Sequence, residues 1–281
     1  MDELNSSDNQ YSEVWNGPAG RAWVQTQDLL DRIMKPIGDS LIEALAPAPE
    51  CRLLDVGCGT GSTTVAAARK LGMKDSCVGI DISEPMLAAA RKRAEDEGAT
   101  IKFLCANAET YPFESQQFDA IISRFGVMFF ANPVQAFSNL RKAARNQAEL
   151  RLIVWRSAED NPFMTEAERA AAPILSLQVR KANAPGQFAF GNARNVDRIL
   201  QQSGWKDTEI LPLDIACSLP ESELDRYLTH LGPVGTALQS EDQQTRDRVL
   251  QAVRPAFARY IHGNEVQFNA ACWMVHARAA S

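Results

Sequence analysis

Apolar positions recur at helical intervals between residues 21 and 46, through Val24, Leu29, Leu30, Ile33, Met34, Ile37, Leu41, Ile42 and Leu45. The spacing predicts one kinked helix or two consecutive helices, interrupted near Pro36–Gly38 and ending before the APAPE run at 46–50. Residues 1–10 are polar and predict a frayed tail. From residue 51 the pattern changes to short apolar runs separated by helical stretches. Strands are predicted at 51–56, 76–81, 101–104, 118–123 and 150–155, with helices at 62–71, from Ser83 onward and at 133–145. Ser83 followed by Glu84 and Pro85 is good helix-start chemistry, because Ser caps free N–H groups, Glu favours the positive dipole end and Pro tolerates the first turn. Strands alternating with helices predict a parallel sheet covered on both faces.

The alternation stops after Arg156. A helix is predicted at 165–179, another from Asn192 to near Gly204, and two terminal strands at 208–215 and 267–278. The stretch 221–261 between those strands reads as helical and is too long for an ordinary connection, so it predicts a cap. The resulting organisation is an N-terminal helical arm at 1–48 and one α/β domain at 49–281, with cap insertions at 157–190 and 218–263.

Composition narrows the class. The chain has 281 residues, 45% hydrophobic and 23% charged, with a formal net charge of −6. Those proportions are globular, and the acidic balance gives no electrostatic footprint for nucleic acid or an anionic membrane. No apolar run approaches the ~20 residues of a spanning helix. The first ten residues lack the basic-then-apolar pattern of a signal peptide. Six cysteines without a CxxC or Cys/His cluster predict reduced thiols in a cytoplasmic protein. The three histidines, His230, His262 and His276, are widely separated and carry no metal-binding signature.

LLDVGCGTG at 53–61 is the sharpest motif. It places Asp55 near a strand end and then Gly57, Gly59 and Gly61 in a turn that lets a ligand approach the backbone. Asp81 closes the next strand about twenty residues later, where a carboxylate can accept both hydroxyls of a ribose. Either feature alone suits an ordinary turn or a solvent-facing acid; two consecutive βα units carrying both predict a nucleoside site. Ser62 stands where a dinucleotide fingerprint has its third glycine, and Asp55 would repel a pyrophosphate. A cofactor with an amino group and a ribose but no phosphates fits better than NAD or FAD.

With VGIDISEPMLAAARKRA, ANAETYPF and FDAIISRFGVMFF added, the chain resembles the class I S-adenosylmethionine-dependent methyltransferases, in particular the ubiquinone/menaquinone C-methyltransferases and natural-product enzymes. The resemblance is strong over about 50–155 and weaker outside it. It implies a Rossmann-like, seven-stranded, mostly parallel sheet with an antiparallel C-terminal strand, and S-adenosylmethionine as cofactor. By the same resemblance Asp55, Gly57, Cys58, Gly59, Thr60 and Gly61 hold the methionine part, Asp81 the ribose, and Ile82 the adenine. Met86 lines the adenine edge or belongs to the helix core. Asn107 and Ala108 approach adenine, and Ser123 and Phe125 face the sulfonium region. Two departures stand out: Asn107 replaces the usual acid, and RNQAEL at 145–150 replaces an RPGG-like turn. Asn can still accept from an exocyclic amine through its side-chain carbonyl.

Methyl transfer needs orientation more than acid–base chemistry, so an absent His/Asp pair excludes nothing. Arg124 either orients an acidic or carbonyl-bearing acceptor or supports its loop through an ion pair. Trp15, Trp23, Met128, Phe129, Phe163, Phe188, Phe190 and Tyr227 are candidates for an apolar acceptor pocket or for local packing. His230 and His262 are candidate proton acceptors, and structural roles suit them as well. The expected activity is methyl transfer to a C, O or N nucleophile of a small, partly apolar metabolite, by a monomer or homodimer without nucleic-acid partner or membrane insertion. The alternatives are a protein or nucleic-acid methyltransferase and a non-catalytic cofactor-binding protein.

Overall fold

The computed structural model describes residues 12–45, 51–72, 76–177 and 184–280. The expected tail at 1–10, Tyr11, the APAPE run and Val179 lie outside them. Residues 12–16 are helical, followed by α1 (Pro18–Gln25) and α2 (Gln27–Glu43). The arm therefore breaks at Thr26 rather than at Pro36, which lies inside α2. Thr26 turns its hydroxyl back onto the Ala22 carbonyl at 2.7 Å, a bond that competes with straight helix continuation.

The central part alternates β1 (Leu53–Val56), α3 (Ser62–Lys70), β2 (Cys77–Asp81), α4 (Glu84–Asp96), β3 (Ile101–Cys105), β4 (Phe118–Arg124), α5 (Pro133–Ala143) and β5 (Ala144–Trp155). All five strands pair in parallel. As predicted, Ser83 caps α4, accepting from the Met86 N–H at 3.4 Å. The RNQAEL segment does not delay β5. The strand begins at Ala144, so α5 ends two residues earlier than expected, and an irregularity in the β4–β5 register accommodates Gln147 at φ 65°.

After β5 come α6 (Pro162–Ala171), α7 (Ala193–Gln202), β6 (Trp205–Pro220), α8 (Leu224–His230), α9 (Gly232–Leu238), α10 (Gln243–Val253), β7 (Ile261–His262) and β8 (Glu265–Ala279). Helix α6 is shorter than the expected 165–179 and starts earlier, at Pro162. Strands β6 and β8 are longer than predicted because they pair with each other along most of their length. The order is β3-β2-β1-β4-β5-β8-β6, with β8 antiparallel to β5 and β6 and the short β7 paired beside it. This is the parallel sheet that the alternation predicts, in the Rossmann-like, mostly parallel form that the resemblance implies, with the two-residue β7 as an eighth strand beside the expected seven.

The strands carry the core: Leu53, Leu54, Ile121, Ile122, Leu150, Leu152 and Ile153 are all fully buried. Helix α8 packs on both α9 and α10, and α9 and α10 each pack on α6. They form a helical layer over the C-terminal ends of the parallel strands, where an open α/β sheet has its ligand crevice.

Candidate active site

The site is assembled at the tips of β1, β2 and β4. Beyond β1 the chain enters a loop whose Gly57 and Gly59 have φ of 67° and 55°, a region that L side chains rarely adopt. A Cβ on Gly57 would come within 2.5 Å of the Gly126 Cα, and one on Gly59 within 2.8 Å of the Met86 Cε. The loop is pinned to β2 by the Gly57 N–H, which donates to the Ile80 carbonyl at 2.8 Å. It is also tied to the next acid. The Gly59 N–H donates to Asp81 Oδ2 at 2.8 Å, and the Ser83 N–H donates to Oδ1 at 2.9 Å. Each carboxylate oxygen keeps a further acceptor direction for a ligand hydroxyl. Burial raises the Asp81 pKa above the ordinary carboxylate value, opposed by the N–H groups of Ser83 and Gly59.

Asp55 is placed differently from what the resemblance implies. Its side chain is 1% exposed and lies below the loop, accepting from the Thr64 hydroxyl at 2.6 Å. Burial pushes its pKa to about 7 against the lowering effects of Thr64 and Arg124. Ser123 is also buried, donating from Oγ to the Val56 carbonyl at 2.7 Å and accepting from the Val127 N–H at 3.3 Å. Asp55, Gly61 and Ser123 are therefore supports for the loop and not part of the cavity wall. Phe125 follows at φ 68°, a left-handed conformation unusual for an aromatic residue, with its ring stacked on Trp155 at 4.3 Å.

A cavity of about 1500 Å³ opens above these tips. Its floor and one side include Gly57, Cys58, Gly59, Thr60, Asp81, Ile82, Met86, Asn107, Ala108, Arg124 and Phe125. Asn107 turns its side-chain carbonyl onto the Glu109 N–H at 2.9 Å. Met86 is both buried and cavity-lining, so the two roles open in the sequence coincide. The opposite side contains Met128, Phe129, Phe163, Met164, Tyr227, Leu228, His230 and Phe268. Phe163 stacks on Phe268 at 3.9 Å and meets Phe257 and Tyr260 edge-on. Burial raises the Tyr227 phenol pKa.

The N-terminal arm closes another side. Trp15 and Trp23 line the cavity and meet edge-on at 5.9 Å, and Trp15 contacts Phe129 at 5.3 Å. Three hydrogen bonds hold the arm to the residues after Asp81. Ser83 Oγ donates to the Trp15 carbonyl at 2.6 Å, Asn16 Nδ2 donates to the Ile82 carbonyl at 2.9 Å, and the Glu84 N–H donates to Asn16 Oδ1 at 3.0 Å. Asn16 was not singled out in the sequence, because an Asn before Gly-Pro reads as a turn residue.

Phe188, Phe190 and His262 do not line this cavity. Phe190 is buried against Phe137 at 6.1 Å, Phe188 packs on the same core, and His262 is exposed at the β7–β8 turn. His230 does line it. Its Nδ1 lies 3.1 Å from the Arg226 carbonyl and 3.0 Å from Thr229 Oγ1, whose own proton goes to the Asp225 carbonyl at 2.7 Å. A carbonyl only accepts, so in the neutral ring Nδ1 carries the proton and Nε2 is the basic nitrogen.

The donor set fits an adenosyl ligand. A carboxylate faces the ribose position, apolar Ile82 and Met86 flank it, and the loop presents bare backbone without a lysine, which suits a nucleoside lacking phosphates.

Residues 53–147 match the family described as Methyltransferase domain. The chain is 32% identical over 199 residues to nocamycin O-methyltransferase of Saccharothrix syringae, covering 67% of this chain and 71% of that protein. It is also 32% identical over 162 residues to an uncharacterized protein of Mycobacterium tuberculosis, covering 58% of each. The chain thus spans 58% of the length of that mycobacterial relative. The fold superposes on the YcgJ protein of Bacillus subtilis with a TM-score of 0.60 at 15% identity, covering 88% of this chain and 99% of that one. The chain belongs to the class I S-adenosylmethionine-dependent methyltransferases.

Proposed function

We propose that this protein binds S-adenosylmethionine and transfers its methyl group, by in-line displacement, to a C, O or N nucleophile of a small, partly apolar metabolite. One observation carries the reading: a single cavity joins the Asp81–glycine-loop end to an aromatic end built from Phe163, Tyr227 and Phe268. At about 1500 Å³ it exceeds the roughly 300–1,000 Å³ of an ordinary one-ligand pocket, so two molecules fit side by side. When bound, the cofactor supplies the sulfonium-borne methyl group. Asp81 holds the ribose, the loop backbone fixes the methionine part, and the Trp15–Trp23–Phe129 wall keeps water from the reacting centre. Such orientation and exclusion of water are the main sources of acceleration in a displacement of this kind.

Nocamycin O-methyltransferase, as its name states, methylates a small molecule, which supports the acceptor class. The formal charge of −6 supports a small-molecule acceptor over nucleic acid. The same reading takes the protein as a cytoplasmic monomer or homodimer.

Calorimetry with S-adenosylmethionine and S-adenosylhomocysteine, then methyl transfer to a metabolite panel read by mass, tests the proposal. Binding followed by a mass gain of one CH₂ on an apolar acceptor, as CH₃ replaces H, is the expected result. A folded preparation indifferent to both nucleosides overturns it, and binding without transfer leaves the non-catalytic alternative standing in its place.

A further inference from the structure

We propose that Arg124 is the binding partner of the cofactor's methionine carboxylate, and not of an acidic group on the acceptor. The proposal rests on the cofactor reading above and assigns a residue to one of its charges. Arg124 ends β4 and carries its guanidinium between α2 and the start of α3. Nη2 donates to Ser62 Oγ at 2.9 Å, Nη1 lies 3.5 Å from the Met34 carbonyl, and a Cβ on Gly38 would meet Nη1 at 3.0 Å. The head group is thus fixed next to the glycine loop, on the wall that α2 contributes.

Its charge has no direct counter-ion there. Asp55 and Asp31 are near enough to act on it through space. Asp55 is hydrogen-bonded to Thr64, and Asp31 is paired with Arg93. Among the described residues no carboxylate comes within ion-pair distance of Arg124. Arg124 is partly buried, and a partly desolvated guanidinium that keeps unused N–H donors is better satisfied when an anion meets it. Arg124 is also the one Arg or Lys among the described residues that line the cavity.

Two features say which anion fits. The carbonyl and hydroxyl partners occupy two of the five donors in the fork, leaving a planar pair of the kind that takes a carboxylate through two parallel bonds. Ser62 is the first residue of α3, whose free N–H groups add positive potential at the same point. Gly57 and Gly126, the second residue after Arg124, approach each other closely and bring no side chains to this part of the cavity floor, which leaves room there for the amino-acid group attached to the nucleoside. The rest of the described cavity lining carries acids, Asp81, Glu109, Glu168 and Glu241, and no second Arg or Lys.

The test compares S-adenosylmethionine with its decarboxylated form, which keeps the sulfonium and amine and lacks only the carboxylate. Calorimetry on the wild type and on Arg124→Met and Arg124→Lys reads the difference. Wild type is expected to prefer the carboxylated ligand at least tenfold, Arg124→Met to bind the two alike, and Arg124→Lys to keep part of the preference. Equal weakening of both ligands, no weakening of either, or a rise confined to acceptor KM overturns the assignment. Should Arg124→Met fail to fold by circular dichroism, the wild type alone decides, because a protein that does not distinguish the two ligands refutes the proposal. A wild type that binds neither ligand sinks the cofactor reading instead.

Discussion

Asp81 on β2 and Asp55 on β1 are neighbouring acids of the strand tips, and their surroundings give them different work. Asp81 stands in the cavity wall with each oxygen held by one backbone N–H. Replacing it by Ala removes the acceptor for the ribose hydroxyls and the anchor of Gly59. Hydrogen bonds to a charged group are worth roughly 1.5–3 kcal/mol, so the S-adenosylhomocysteine Kd is expected to rise about 10- to 150-fold by calorimetry. Asp55 acts on stability. Its folded pKa of about 7 lies above the ordinary aspartate value of 3.8, chiefly through burial. Between those values the folded state holds a proton that the unfolded state has lost. Stability therefore declines as pH rises from about 4 to about 7, by about 1.4 kcal/mol per unit, and the penalty is complete above pH 7. Asp55→Asn keeps an acceptor for Thr64 and is expected to flatten this part of a urea-unfolding profile and to raise stability at pH 8. With His230 Nε2 as the proton acceptor, His230→Gln is expected to leave cofactor affinity unchanged while lowering kcat on a hydroxyl acceptor by about 10²-fold; an unchanged kcat assigns the ring a structural role. The placement of Asp81 was legible, since a strand end after a glycine motif has few alternatives. The turning of Asp55 beneath the loop was not, because its partner Thr64 lies on the following helix and no pattern marks that pair.

At the scale of elements, the parallel strands and the cap were readable from apolar period and length, and the boundaries were not. Strands β6 and β8 extend past their predicted ends because each supplies the other's hydrogen-bond ladder, a tertiary fact that local composition does not encode. Phe188 and Phe190 show the same limit: an aromatic beside an insertion suits a pocket or a core equally, and contact with the Phe137 side of the core decides it. The N-terminal arm had a legible helix pattern but no legible target. Its attachment to residues 82–84 depends on Asn16, and Asn16→Ala removes two of the three bonds. Each is worth about 0.5–1.5 kcal/mol, so limited proteolysis is expected to cut the arm faster and cofactor Kd to rise by roughly tenfold.

Across the whole molecule, one cavity spans from the glycine loop to the helical cap, and the arm and cap wall it from different sides. On the proposed function both ligands occupy it together, so initial-rate plots against the two substrates are expected to intersect; parallel lines would instead indicate a covalent methyl-enzyme. The aromatic group that closes the cap end is also part of the core. Phe163 is 2% exposed and stacked on Phe268. Phe163→Ala is expected to cost about 3–5 kcal/mol in urea unfolding and to raise acceptor KM in the same variant.

The latch formed by Trp15, Asn16 and Ser83 also bears on throughput. On the proposed function the latch adjoins the nucleoside end of the cavity, and release of spent nucleoside is expected to wait on its opening, which sets residence time against cycling speed at the arm. Where departure limits the cycle, a weakened latch gives a protein that grips less tightly and turns over faster at saturation.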